Sequence, residues 1–351
     1  MHFSVIVLLF IVSVTASGGA GFMYKKITAL HETGSDIPTV LFFAPMPLVV
    51  LFAVLATVQG WAFTTVNVLS GIAGGICFAA AVAMLLTAVT KGDYSVSVII
   101  INLSFVIPII FSAVVLKEPV APLQIAGIVI LMFVIVFANI SWNRRAAADG
   151  TRGESFAQAK EQTAETFSGL AEKQIGETVP KSETVLSESA ADTGALRTTA
   201  ATRSAGRGNA WIAYALLACL FNGSVNTSLK VQEYYAAAGE NTFYFVMYVT
   251  ALVIGLAVYM AVPSARVKRS HPHRIPTAAM CLGAFVAFNY YPLSLIAPYV
   301  NASMLFGIST SGAIFASLLA GWIFFREKVT IKSAVSLLCC ALVIVLQIVS
   351  V

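Results

Sequence analysis

Uncharged hydrogen-bonding side chains recur inside the apolar runs of this sequence. Ser17 lies in the first run, Asn102 and Ser104 in the fourth, and Asn222 and Asn226 in the sixth. Asn289, Tyr290 and Tyr291 lie in the eighth, and Ser309 and Ser311 in the ninth. Asparagine offers two donors and an acceptor at one point. It is costly against lipid, so it turns to a cavity or to another helix. The chemistry such a set supports is reversible hydrogen bonding to a small solute, with tyrosine rings to cover a flat face. Helix-to-helix hydrogen bonding is the competing role, and it is the ordinary one for a single Ser or Thr in a membrane bundle. Both roles stay open for Asn102, Asn226 and Asn289.

What the runs lack narrows the chemistry. No Asp, Glu, Lys or Arg falls in the middle of any run, whereas intramembrane acids mark proton relays and cation sites. A neutral or zwitterionic solute is therefore favoured. Proton coupling is left only to Asp93, Glu118 and Glu327 at run edges. The five cysteines (Cys77, Cys219, Cys281, Cys339, Cys340) sit in apolar runs and read as small core residues. His271-Pro272-His273 falls in a basic loop, and no histidine has Cys or Asp at ligand spacing. No metal and no cofactor are expected. An enzyme would need nucleophiles, acid–base pairs or metal ligands clustered near the interface; the chain is not read as one. The net charge of +5 is scattered over loops without an aromatic-laced patch, so nucleic acid is not an expected partner.

The elements that must position these residues are membrane helices. The chain is 58% hydrophobic and 11% charged, against about a quarter charged in a soluble domain. About twenty apolar residues cross the hydrocarbon core as a helix, and lipid leaves the backbone few other solutions. Ten such runs are predicted: 3–24, 37–58, 66–90, 94–116 and 121–142, then 210–230, 242–262, 276–297, 299–325 and 329–350. The first run has no basic start and continues to Lys25-Lys26, so it reads as a retained span and not a signal peptide. Residues 146–208 hold nine of the sixteen acids and cannot bury a core. They read as a flexible, largely disordered tether, with a weak amphipathic stretch around Phe156, Phe167, Leu170 and Ile175. Fourteen bases near run ends fall on the odd-numbered loops and two, Lys117 and Lys230, on the other side. That bias puts the tether in the cytoplasm and both termini outside.

One phrase occurs twice. Leu116-Lys117-Glu118-Pro119-Val120 and Phe325-Arg326-Glu327-Lys328-Val329 each join the fourth and fifth run of a half-chain. Glu118 and Glu327 are expected to favour the start of the helix that follows. Ser17-Gly18-Gly19 before Lys25 matches Asn222-Gly223-Ser224 before Lys230, and Gly75 matches Gly283. Lys25 and Lys230 are read as anchors at span ends, with contact to anionic groups of a solute entering the cavity as the alternative. Halves with an odd number of spans must face opposite ways, a common transporter plan. The fold expected is all-α: a polytopic protein of ten transmembrane helices in two inverted five-helix repeats, 1–145 and 209–351, joined by the tether.

This ordered pattern resembles the drug/metabolite transporter superfamily in its ten-span form with two EamA-type repeats. The strongest stretches are 108–127 and 311–329, and the likeness covers nearly all of the chain outside the tether. It implies a permease of the cytoplasmic membrane that moves a small organic metabolite or drug-like solute by alternating access. It also implies a cavity lined by spans 1, 3, 4, 6, 8 and 9, and termini in the cytoplasm, opposite to the base count. Lipid and a small solute are the expected partners, and a homodimer is compatible with the plan. The alternative class is a non-transporting scaffold or sensor acting through the tether.

Overall fold

An apolar helix stands at each of the ten predicted places, and helix is the only regular structure among the described residues. The computed structural model describes residues 3–30, 36–91, 97, 100–134, 210–236, 239–262, 273–325 and 331–349. In chain order the helices are α1 (Phe3–Leu30), α2 (Ile37–Phe43), α3 (Pro45–Gln59), α4 (Thr65–Lys91), α5 (Val106–Val114) and α6 (Pro122–Val134). The second half has α7 (Ala210–Ala236), α8 (Glu240–Ala261), α9 (Arg274–Ile296), α10 (Ala302–Phe325) and α11 (Ile331–Val349). Six stretches are long and apolar enough to cross a membrane: α1, α2 with α3, α4, α7, α8 and α9. The other four apolar stretches are shorter, at Ile100–Val114, Pro122–Val134, Ala302–Ala316 and Ala334–Val349. A separate unit, Asn139–Asn209, contains the predicted tether; it lies outside the described residues, as do Arg326 and Glu327.

Burial runs opposite to that of a soluble protein. Val54, Leu69, Val253 and Leu338 are exposed, while Ser13, Gln124, Lys230, Gln232 and Ser303 are buried. That inversion is what a membrane protein needs, because lipid solvates apolar side chains and polar ones must find partners inside. Exposed rings mark one end of the bundle: Trp61 and Phe63 after α3, Tyr234 and Tyr235 at the end of α7, and Tyr299 after α9. Amphipathic rings of this kind sit at the headgroup level. Exposed bases mark the opposite end, with Lys26, Lys91 and Arg274, and the Lys91 ammonium lies 4.7 Å above the Tyr214 ring.

Small residues decide which helices touch. α7 packs along α4 and α1 along α9, while α8 crosses α2, α3 and α4. α10 lies against α1 and α11, and α5 against α7. Span 2 is broken at Ala44, because Pro45 and Pro47 have no N–H for the helical ladder. Glycines accept the backbone there: a side chain on Gly255 would strike the Leu41 carbonyl, and one on Gly283 the Ala44 carbonyl. Gly75 likewise takes the Met247 carbonyl of α8. Gly18 of α1 faces Ala316 of α10, and Gly223 of α7 faces Ile107 of α5.

Candidate solute-binding site

Three hydrogen-bonded pairs join helices inside the bundle, two of them between the sequence halves and one within the second half. The Ser13 hydroxyl of α1 donates to Asn289 Oδ1 of α9 at 2.7 Å. Asn222 Nδ2 of α7 donates to Ser104 Oγ, in the turn before α5, at 2.7 Å. The Tyr290 hydroxyl of α9 reaches Asn226 Oδ1 of α7 at 3.5 Å, the long limit of a hydrogen bond. α7 and α9 do not pack along one another, and the long Tyr290 side chain bridges them.

Aromatic side chains gather beside that bridge. Phe52 of α3 stacks on Tyr244 at 4.6 Å and on Tyr248 at 5.7 Å between ring centroids, both from α8. Tyr248 also meets Phe78 of α4 edge-on at 5.3 Å. The Tyr290 ring is tilted against Tyr244 at 6.2 Å, and Tyr291 meets Phe52 edge-on at 6.5 Å. Tyr244 and Tyr248 are one helical turn apart, so both rings share the face of α8 that meets Phe52. Both are fully buried, and neither hydroxyl has a hydrogen-bond partner among the described residues. A buried polar group left unpaired costs about 1–3 kcal/mol, so two of them side by side call for an explanation.

The predicted residues are not all used alike. Ser104, Asn222, Asn226, Asn289, Tyr290 and Tyr291 take part in the contacts just described. Ser311 instead returns its hydroxyl to the Gly307 carbonyl of its own helix at 2.6 Å, the ordinary fate of a helical serine. Ser17, Asn102 and Ser309 are half-buried and are not drawn into these pairs. Ser13 does not stand out in the sequence; it lies one turn before Ser17, and only the position of α9 distinguishes them.

Two expectations are corrected at the aromatic-marked end. Lys230 is not a span-end anchor at the interface. α7 continues to Ala236, and Lys230 is only 1% exposed. Its ammonium lies 2.8 Å from Glu233 Oε2 and 3.4 Å from Glu118 Oε1, and it donates to the Val300 carbonyl at 3.3 Å. Glu118 does serve a helix start, but that of α10 and not that of the following α6. Its Oε2 accepts the Ala302 N–H at 2.8 Å, where a carboxylate meets the positive end of the dipole. Lys117 before it takes φ +58°, the left-handed turn that swings the chain round.

A second polar layer closes around the start of α10. Asn301 Oδ1 accepts the Met304 N–H at 3.1 Å as an N-cap. Gln124 Oε1 of α6 takes Asn301 Nδ2 at 3.1 Å and the Ser303 hydroxyl at 2.7 Å. Across the same end, Asn241 Nδ2 donates to Gln59 Oε1 at 2.7 Å, and the Ala62 N–H to the Thr242 hydroxyl at 2.9 Å. Gly239, at φ +84°, makes the α7–α8 turn there.

No family model matches the chain, and no curated protein matches it. A solved structure described as "Crystal structure of protein" superposes on it with a TM-score of 0.59, over 99% of this chain and 96% of the other, at 12% identity. At that identity the likeness shows the fold alone.

Proposed function

We propose that the protein is a membrane carrier that moves a small uncharged or zwitterionic organic solute by alternating access. The observation that carries this reading is the Asn226–Tyr290 bridge between two helices that do not pack along one another, flanked by the hydroxyls of Tyr244 and Tyr248, which find no partner among the described residues. A solute entering between α7 and α9 finds an amide, three phenols and stacked rings. Its own polar groups satisfy hydroxyls that the protein leaves unpaired, and its flat faces replace ring contacts. Such a site gains by binding, and the contacts it makes are uncharged hydrogen bonds and ring faces, which release readily.

The packing supports ten spans in two inverted repeats of the drug/metabolite transporter type. Numbering the apolar stretches one to ten, stretch 1 pairs with 8 as 6 pairs with 3, and 1 touches 9 as 6 touches 4. The glycines follow the same rule. Gly18 and Gly223 open the 1–9 and 6–4 contacts, while Gly75 and Gly283 open the 3–7 and 8–2 contacts. An exchange of partners between halves is what a pseudo-twofold in the membrane plane produces. Among the described residues the exposed bases Lys26, Lys91 and Arg274 lie on the end away from the aromatic rings and Lys117 alone on theirs, a bias that favours the former end as cytoplasmic. The cytoplasmic membrane is the proposed location.

The test is flux in proteoliposomes filled with a small-molecule extract. Asn226→Ala and Tyr290→Phe are expected to lower flux at subsaturating solute without unfolding the protein. Parent-like flux in both variants across solute concentrations would place the solute elsewhere.

A further inference from the structure

We infer that Lys230 is a latch that closes the aromatic-marked mouth of the transport path and lets go during the cycle; this rests on the carrier reading above. Lys230 is buried, yet its three acceptors come from three places. Glu233 is on its own helix, Glu118 on the turn between α5 and α6, and Val300 on the junction between α9 and α10. Glu118 uses its second oxygen on the Ala302 N–H. One ammonium thereby ties α7 to the start of α10. Among the described residues, the polar contacts from α7 to segment 297–303 all run through it.

The chemistry suits a closure that must open. Burying an ion pair adds little net stability, because lost hydration offsets the attraction. The same balance lets the pair part cheaply once water returns, whereas a packed apolar plug would expose its surface. The level is right as well. Lys230 lies one turn before the exposed ring of Tyr234, about 6 Å along the helix. The neighbouring contacts, Gln124 with Asn301 and Ser303, and Gln59 with Asn241, each hold helices on one side of the mouth. Glu240 of α8 also meets the Ser294 hydroxyl of α9, but Lys230 is the ionic bond that reaches the start of α10 from α7.

The test uses the full chain in lipid nanodiscs, with both faces in reach of a charged, membrane-impermeant maleimide. Ser294 on α9 is buried one turn from the α9–α10 junction, and the thiol introduced by Ser294→Cys reports opening of this mouth. Labelling of the five natural cysteines is measured on the parent and subtracted. Glu118→Gln keeps an oxygen for the Ala302 N–H but removes the charge from Lys230. It is expected to speed labelling of the introduced thiol about tenfold or more, as for loss of a charge-assisted bond. Lys230→Met is expected to do the same. An unchanged rate in both single variants overturns the latch; if Lys230→Met fails to fold, Glu118→Gln alone decides. Flux is measured alongside. Intact flux with unchanged labelling removes the latch and keeps the carrier; faster labelling in a protein that moves no solute keeps the closure and removes the carrier.

Discussion

Replacing Gly283 by alanine puts the packing of the bundle under direct strain. The added methyl would strike the Ala44 carbonyl oxygen, with the carbonyl carbon at 3.0 Å and Pro47 Cδ at 3.2 Å. That backbone has little room to yield. It is the break between α2 and α3, where Pro45 and Pro47 have removed ladder bonds and the Ala44 N–H still holds the Val40 carbonyl at 3.0 Å. Two effects oppose. Alanine in place of glycine in a helix interior gains about 0.8–1 kcal/mol. Forcing a methyl into fixed backbone costs about 1–3 kcal/mol, and more when nothing moves. The net expectation is a loss of about 1–2 kcal/mol. Gly75→Ala, which meets the Met247 carbonyl and Thr250, should lose a similar amount. Gly18→Ala is the control. Its nearest neighbour is the Ala316 methyl at 3.1 Å, so the helix gain roughly cancels the crowding and stability stays within about 0.5 kcal/mol of the parent. Thermal unfolding of the purified protein in one detergent reads all three. The reasoning is refuted if Gly283→Ala matches or exceeds the parent, or if Gly18→Ala proves the more damaging change.

Three further outcomes are expected. Tyr244→Phe and Tyr248→Phe should leave stability unchanged or raise it by up to about 1 kcal/mol, since each removes an unpaired buried hydroxyl; solute flux should fall, and a stability loss with intact flux would make the hydroxyls structural. A double-mutant cycle of Ser13→Ala with Asn289→Ala should give a coupling of about 0.6 kcal/mol, the size usual between membrane helices. No coupling would mean that the pair is not formed in the membrane. Deleting 146–208 while leaving a short linker should keep flux at the parental level; loss of flux would give that segment a part in transport.

Much of the architecture is legible in the sequence because lipid allows so few solutions. Runs of apolar residues have to become helices, and apolar helices do stand at all ten places. The inward turn of Ser104, Asn222, Asn226 and Asn289 follows from the cost of showing polar atoms to lipid. Lys230 misleads for a definite reason. A lysine near the end of an apolar run usually snorkels, and nothing local separates that from burial. Its burial depends on Val300 and Glu118, 70 and 112 residues away in sequence. The Glu118 carboxylate reads as serving the next helix because sequence shows only chain neighbours, whereas the left-handed turn at Lys117 directs it to α10. Ser13 escapes notice because one serine in a helix looks like any other until its facing helix is known. Tyr244 and Tyr248 carry a usable signal in their one-turn spacing, but rings at that spacing are more often plain core.

Counterflow in proteoliposomes tests the central claim most directly. Vesicles holding the purified parent are loaded with a small-molecule extract and diluted into a labelled one, and solutes that exchange faster than in protein-free vesicles are identified. The account expects at least one uncharged or zwitterionic organic solute to exchange, with its rate cut by Asn226→Ala and by Tyr290→Phe. Exchange of no solute by well-folded protein, or exchange that both substitutions leave untouched, would contradict it.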